Sequence, residues 1–142
     1  MTNRITLSQA NAIIAAAFAK GAELKLKPLS VVVVDAGGHV QAFQRQDGAS
    51  SMRLGIALGK AAGALALGVS SRKIGEMAAD RPAFITAASG LVPHGLMPAA
   101  GGIIVKGGDG FAIGAVGITG DTSDNDEICT LAGIAAAGLT AA

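Results

Sequence analysis

The chain of 142 residues contains no tryptophan, no tyrosine and only four phenylalanines. The purified protein should therefore barely absorb at 280 nm, so that near-ultraviolet absorption would come mainly from a bound molecule. A single cysteine, Cys129, excludes an internal disulfide. Charged side chains make up only 15% and nearly cancel, at +1. That balance leaves no basic face for nucleic acid and no acidic tail for cationic partners. Long apolar runs are scarce too. The longest weakly polar stretch, Leu54 to Ser70, contains Lys60 and four glycines and falls short of the roughly 20 apolar residues of a membrane-spanning helix. No membrane span is expected. The segment Met1-Thr2-Asn3-Arg4-Ile5-Thr6 lacks the apolar stretch of a secretory signal, and the cytoplasm is the expected location.

Apolar residues are abundant, at 51%, and there are 21 glycines. A core of this size suits one domain spanning 1–142 with no need of metal or disulfide. The mean hydropathy of +0.53 leaves too few charged groups to cover the surface. Part of that surface is expected to be buried between subunits of a homo-oligomer.

Thr6-Leu7-Ser8-Gln9 has the capping-box pattern, and apolar residues at helical spacing extend a first helix to about Leu24. Lys27-Pro28 stops it. Val31 to Val34 is β-branched and apolar on both faces, as in a central strand. Asp35-Ala36-Gly37-Gly38 is a turn, after which His39 to Gln44 resumes a strand, so the two segments form a hairpin. A second helix is predicted from Ser50 or Ser51 to about Val69. Ser70-Ser71 caps a third that reaches Ala79 or, past a break near Pro82, Ala88. Gly102 to Lys106 and Phe111 to Thr119 flank Gly107-Gly108-Asp109-Gly110 as a second hairpin. A last helix runs from Ser123 or Asp124 to about Gly138. The order α-β-β-α-α-β-β-α, with consecutive antiparallel pairs, predicts an α+β fold and not a doubly wound parallel sheet.

Five segments along nearly the whole chain resemble the GlcG/HbpS-like family. They are Val33 to Val40, Arg45-Gln46-Asp47-Gly48-Ala49, Gly59-Lys60-Ala61-Ala62, Pro98 to Gly102, and Gly114 to Gly120 with Asp126-Glu127 following. The resemblance implies a profilin-like antiparallel sheet flanked by helices and assembly into homo-oligomers. It also implies association with heme or another tetrapyrrole, and a related domain is fused to corrinoid adenosyltransferases. Members beside enzymes of small-acid catabolism imply a catalytic role as an alternative. The chain departs from the family pattern at Gln46, where methionine is usual, and at Pro98-Ala99-Ala100, where a Gly-Gly-x-Pro turn is more common.

Between Asp47 and Arg72 the only charged residues are Arg53 and Lys60, two helical turns apart on one face. One reading is an anion site for a carboxylate or propionate, in which desolvated Lys60 also serves as acid or base. The other is a solvated stripe. Gly55, Gly59 and Gly63 recur along the same helix and favour close packing there. His94, between Pro93 and Gly95, is a loop imidazole that a scaffold can present to a pocket, as a polar contact or as a ligand of heme iron.

His39 reads as a surface strand residue, and Met97, like Met52 and Met77, reads first as packing and secondarily as a ligand contact. Cys129, in an apolar helix, reads as a buried thiol. Asp121, Asp124, Asp126 and Glu127 do not make a calcium loop, because its twelfth position falls on Ala132. No phosphate loop or dinucleotide fingerprint is present.

The leading expectation is a small-molecule binder, for heme or a related tetrapyrrole, with Arg53 and Lys60 meeting acid groups, His94 a further contact, and Asp47 and Met97 nearby. The rival is a cofactor-independent lyase or isomerase for a small acid. There Arg53 anchors the carboxylate, Lys60 or His94 moves a proton, and Glu127 or Asp47 assists.

Overall fold

The computed structural model describes residues 3–142. Helix α1 (Leu7–Glu23) opens on Thr6, whose hydroxyl accepts from the Gln9 N–H at 3.1 Å while the Gln9 side chain accepts from the Thr6 N–H at 2.9 Å. The capping box thus satisfies two of the N–H groups that every helix start leaves open. One stripe, Ala10, Ile13, Ile14 and Ala17, is fully buried.

Strand β1 (Ser30–Asp35) is an interior strand of a five-stranded antiparallel sheet of order β2-β1-β4-β3-β5. Its neighbours are β2 (Val40–Arg45) and β4 (Ala112–Thr119), followed by β3 (Gly102–Lys106) and a two-residue edge strand β5 (Thr140–Ala141). Side chains alternate across the strand. Val31 and Val33 therefore join Ile13, Ile14, Val116 and Ile118 under α1 and α5 (Ser123–Ala136). Val32 and Val34 face the opposite layer, where α2 (Arg53–Leu67) supplies Ala57, Leu58 and Ala61. The valine run is buried on both sides, as expected of a central strand.

Two short helices, α3 (Ser71–Asp80) and α4 (Pro82–Ser89), extend the α2 layer, and Ile74, Ile85 and Leu96 form a small separate core there. They are two helices because Pro82 occupies the first turn of α4 and has no N–H to continue α3. The two predicted hairpins are β1–β2 and β3–β4, and they join through β1 and β4. The fold is α+β, as the element order implied, with β5 as an addition.

Glycines set the spacing between α2 and the sheet. A Cβ on Gly117 would lie 2.2 Å from the Ala57 carbonyl oxygen, and one on Gly102 would lie 2.2 Å from that of Lys60. On the outer side, Gly59 and Gly63 receive the loop of residues 94–97. A Cβ on either would stand 3.0 Å from Met97 Cβ or 3.2 Å from Leu96 Cδ2. The glycine ridge predicted for helix packing thus receives a loop, and Gly55 has nothing within 4 Å.

Candidate functional site

Lys60 lies on the sheet side of α2 and is 3% exposed. Its Nζ passes beyond the end of β4, where it donates to the Ile118 carbonyl at 2.9 Å and to Asp126 Oδ2 at 3.2 Å. The other Asp126 oxygen accepts the Asp121 N–H at 3.0 Å. Gly101 keeps the passage open, because a Cβ there would come within 2.9 Å of the ammonium. The pair ties α2 on one face of the sheet to the first turn of α5 on the other. Burial pulls the Lys60 pKa down, opposed by Asp126, and pushes the Asp126 pKa up, opposed by backbone and ammonium donors. Close pairing is what makes two buried charges tolerable.

Of the remaining predicted polar residues, Arg53 also reaches the end of β4, close enough that its charge adds to burial in lowering the Lys60 pKa. Arg53 is half-buried and donates from Nη1 to Thr119 Oγ1 at 2.9 Å. Glu127 receives the Arg72 Nε at 3.1 Å on each oxygen, joining α5 to α3. Asp47 is exposed on the rim of an open cleft beside Phe18 and Pro28. Met97 is half-buried against Gly59, whose carbonyl accepts its N–H at 3.1 Å.

His94 lines a cavity of about 330 Å³ between the 92–95 loop, the outer side of α2 at Ala62 and Ala66, and the β1–β2 turn. Neither Arg53 nor Lys60 lines it. Ala62, where α2 first reaches the cavity, is nine residues beyond Arg53, or ~14 Å along the axis at the rise of an α-helix. The expected grouping of Arg53, Lys60 and His94 around one ligand therefore does not assemble. Of the alternative proton-moving set, in which Lys60 or His94 acts with Glu127 or Asp47, Lys60 is engaged by Asp126 and Glu127 by Arg72.

The cavity instead contains the second histidine of the chain. His39 and His94, the only two in the sequence, both line it. His39 sits at the end of the turn rather than in a strand, with its Nδ1 3.3 Å from Asp35 Oδ1. That same oxygen accepts the Gly37 N–H at 2.9 Å and the His39 N–H at 3.0 Å. These backbone donors, the His39 N–H foremost, hold the Asp35 carboxyl below its usual pKa. The sequence did carry a signal for this: an Asp and a His flanking Ala36-Gly37-Gly38 are brought back together by the tight turn.

Ala66 and Val92 also line a second cavity of about 330 Å³, whose walls include Leu67, Phe84, Leu91 and Leu96. An imidazole-lined pocket thus adjoins an apolar groove across Ala66 and Val92. Leu91 is 86% exposed and Phe84 41% exposed at its edge. Among the described residues, no group of three or more histidine, cysteine or carboxylate side chains is placed to hold a metal ion. No single helix there is long and apolar enough to cross a membrane.

This three-layer α+β fold is shared with known proteins. The family model described as haem-degrading protein, HbpS-like, matches residues 5–135, and the chain belongs to that family. Among solved structures, the PduOC:heme complex is 23% identical with a TM-score of 0.84, covering 96% of this chain and 97% of that one. Klebsiella pneumoniae protein ORFY is 27% identical with a TM-score of 0.82, covering 94% and 90%. HbpS is 26% identical with a TM-score of 0.81, covering 95% and 91%. No match was found among curated proteins.

Proposed function

We infer that the protein binds heme or a related tetrapyrrole across these two adjoining cavities. The observation that carries the reading is that both imidazoles of the chain line a pocket which shares the walls Ala66 and Val92 with an apolar slot. A tetrapyrrole is a flat apolar ring with a central metal. Its ring gains from burial against Leu67, Phe84 and Leu91, and an imidazole nitrogen is a standard axial donor to its iron. The family's description as haem-degrading supports the ligand class, as does the heme-bound state of PduOC on the same fold. The outer edge of the groove, with Leu91 so exposed, is where a second subunit would close over the ligand.

The test is a titration of the purified protein with hemin, followed in the Soret region. With no tryptophan or tyrosine, the protein contributes almost nothing at 280 nm, so chain concentration is taken from far-ultraviolet peptide absorbance and the Soret absorbance per chain reports loading. A saturable shift to a nitrogen-ligated spectrum is expected. Only the unshifted spectrum of free hemin, at every protein concentration, would sink the reading.

A further inference from the structure

Resting on that reading, we propose that His39, held by Asp35, and not the more freely placed His94, is the nitrogen donor to the tetrapyrrole metal. Asp35 acts as the residue that positions it.

The two histidines line the same cavity but are built differently. Among the described residues the His94 imidazole has no hydrogen-bond or ion-pair partner, and it stands exposed on a loop between Pro93 and Gly95. No hydrogen bond or ion pair fixes its ring orientation. His39 has one nitrogen committed, Nδ1, at 3.3 Å from Asp35 Oδ1. A carboxylate facing Nδ1 places the proton on that nitrogen, which leaves Nε2 as a lone-pair donor. This is the arrangement in which a carboxylate orients a metal-binding imidazole and raises its basicity.

The carboxylate is itself fixed. Two main-chain N–H groups, of Gly37 and His39, bond the oxygen that faces the imidazole, and this keeps the group anionic and unable to turn away. The turn is closed in addition by the Gly38 N–H to the Asp35 carbonyl and the Asp35 N–H to the His39 carbonyl, each at 2.9 Å. The ring also lies against Gly37: a Cβ there would be 3.0 Å from both His39 Cε1 and Nδ1. The bare glycine is what allows the imidazole to fold back over Asp35. The His39 side chain is 82% exposed, so Nε2 is open to an incoming ligand. A donor whose tautomer and direction are set before binding loses less freedom on coordination than a mobile one.

The experiment compares His39→Ala, His94→Ala and Asp35→Asn with wild type. Asparagine keeps an oxygen for the Gly37 and His39 N–H groups and removes only the charge. In hemin titrations His39→Ala is expected to lose the nitrogen-ligated spectrum. Asp35→Asn should retain it with affinity weakened roughly 10- to 100-fold and with a raised iron midpoint potential, since the imidazole becomes a poorer donor. His94→Ala should keep the wild-type spectrum and potential. In the ligand-free protein, ¹⁵N resonances should show His39 as the Nδ1-protonated tautomer, and Asp35→Asn should erode that preference.

Loss of the nitrogen-ligated spectrum in His94→Ala, with His39→Ala unaffected, would overturn the proposal and leave tetrapyrrole binding standing. An Nε2-protonated His39 in the free protein would overturn it as well. Failure of wild type to take up hemin would instead remove the reading on which it rests.

Discussion

Replacing Lys60 by methionine keeps most of the side-chain volume and removes the cation. Asp126 would then remain 1% exposed with the Asp121 N–H as its one donor and no counter-ion. Such a carboxyl either stays charged unpaired or takes up a proton. Driving protonation at pH 7 from the ordinary aspartate value of 3.8 costs about 1.4 kcal/mol per pH unit, or ~4 kcal/mol, which caps that contribution. Burial already raises the Asp126 pKa, so part of this cost is present in the wild type. The Ile118 carbonyl also loses its ammonium donor, worth about 1 kcal/mol. The expected loss is therefore ~3–5 kcal/mol, the range for removing one partner of a buried ion pair.

Urea unfolding followed by far-ultraviolet circular dichroism measures this, since no tryptophan reports the transition. The denaturant slope should stay unchanged if only stability moves. The sign of the pH dependence is also fixed. In Lys60→Met the folded-state pKa of Asp126 lies well above its unfolded value, so the folded protein binds the proton better and the deficit shrinks as pH falls from 7 towards 5. The double variant Lys60→Met/Asp126→Leu should recover most of the loss, because an apolar pair of similar volume can replace a buried ion pair. A Lys60→Met protein within about 0.5 kcal/mol of wild type, or one whose deficit ignores pH, would refute a structural role for the pair.

Asp121 accepts from the Lys27 and Thr122 N–H groups and from Asn125 Nδ2, with the Asn125 bond the largest cause of a pKa lowered from 3.8 to about 2. A depressed folded pKa contributes stability that is complete above 3.8 and disappears as pH falls towards 2. The acid limb of the stability profile should flatten in Asp121→Ala over that window. Cys129 is fully buried in α5, and its thiol is pushed up to about 11 by burial. Its reaction with a disulfide reagent at pH 8 should be slow in the native protein and fast in urea. Rapid native-state labelling would contradict the packing of α1 against α5.

The sheet and its main layers were legible because their signals are local. Thr6 and Gln9 cap α1 from three residues apart, and the valine run of β1 announces burial on both faces. Strand β5 was not legible, because two residues pairing with Val105 and Lys106 through main-chain groups leave no side-chain pattern. For the site, the isolation of Lys60 in an apolar helix suggests an anion site or a solvated stripe, and the structure shows instead a buried ammonium paired with Asp126. Its partner Asp126 is 66 residues away and is reached only past the end of the sheet, which periodicity cannot reveal. Arg53 shares a helical face with Lys60 yet contacts Thr119. From the sequence His94 reads as a loop residue facing a pocket, whereas His39, following a turn, reads as a strand residue. That turn is what returns it to Asp35 and into the cavity with His94.

Ala66 lines both halves of the groove and is exposed on α2, so Ala66→Trp should obstruct the junction without disturbing the core. It also installs the chain's only tryptophan. Hemin titration of this variant, read in the Soret region and by indole fluorescence, tests the groove most directly. The expected result is a loss of hemin affinity of at least tenfold with an unfolding midpoint like that of wild type. Wild-type affinity for hemin with an unquenched indole would place the ligand elsewhere on the molecule and contradict the account.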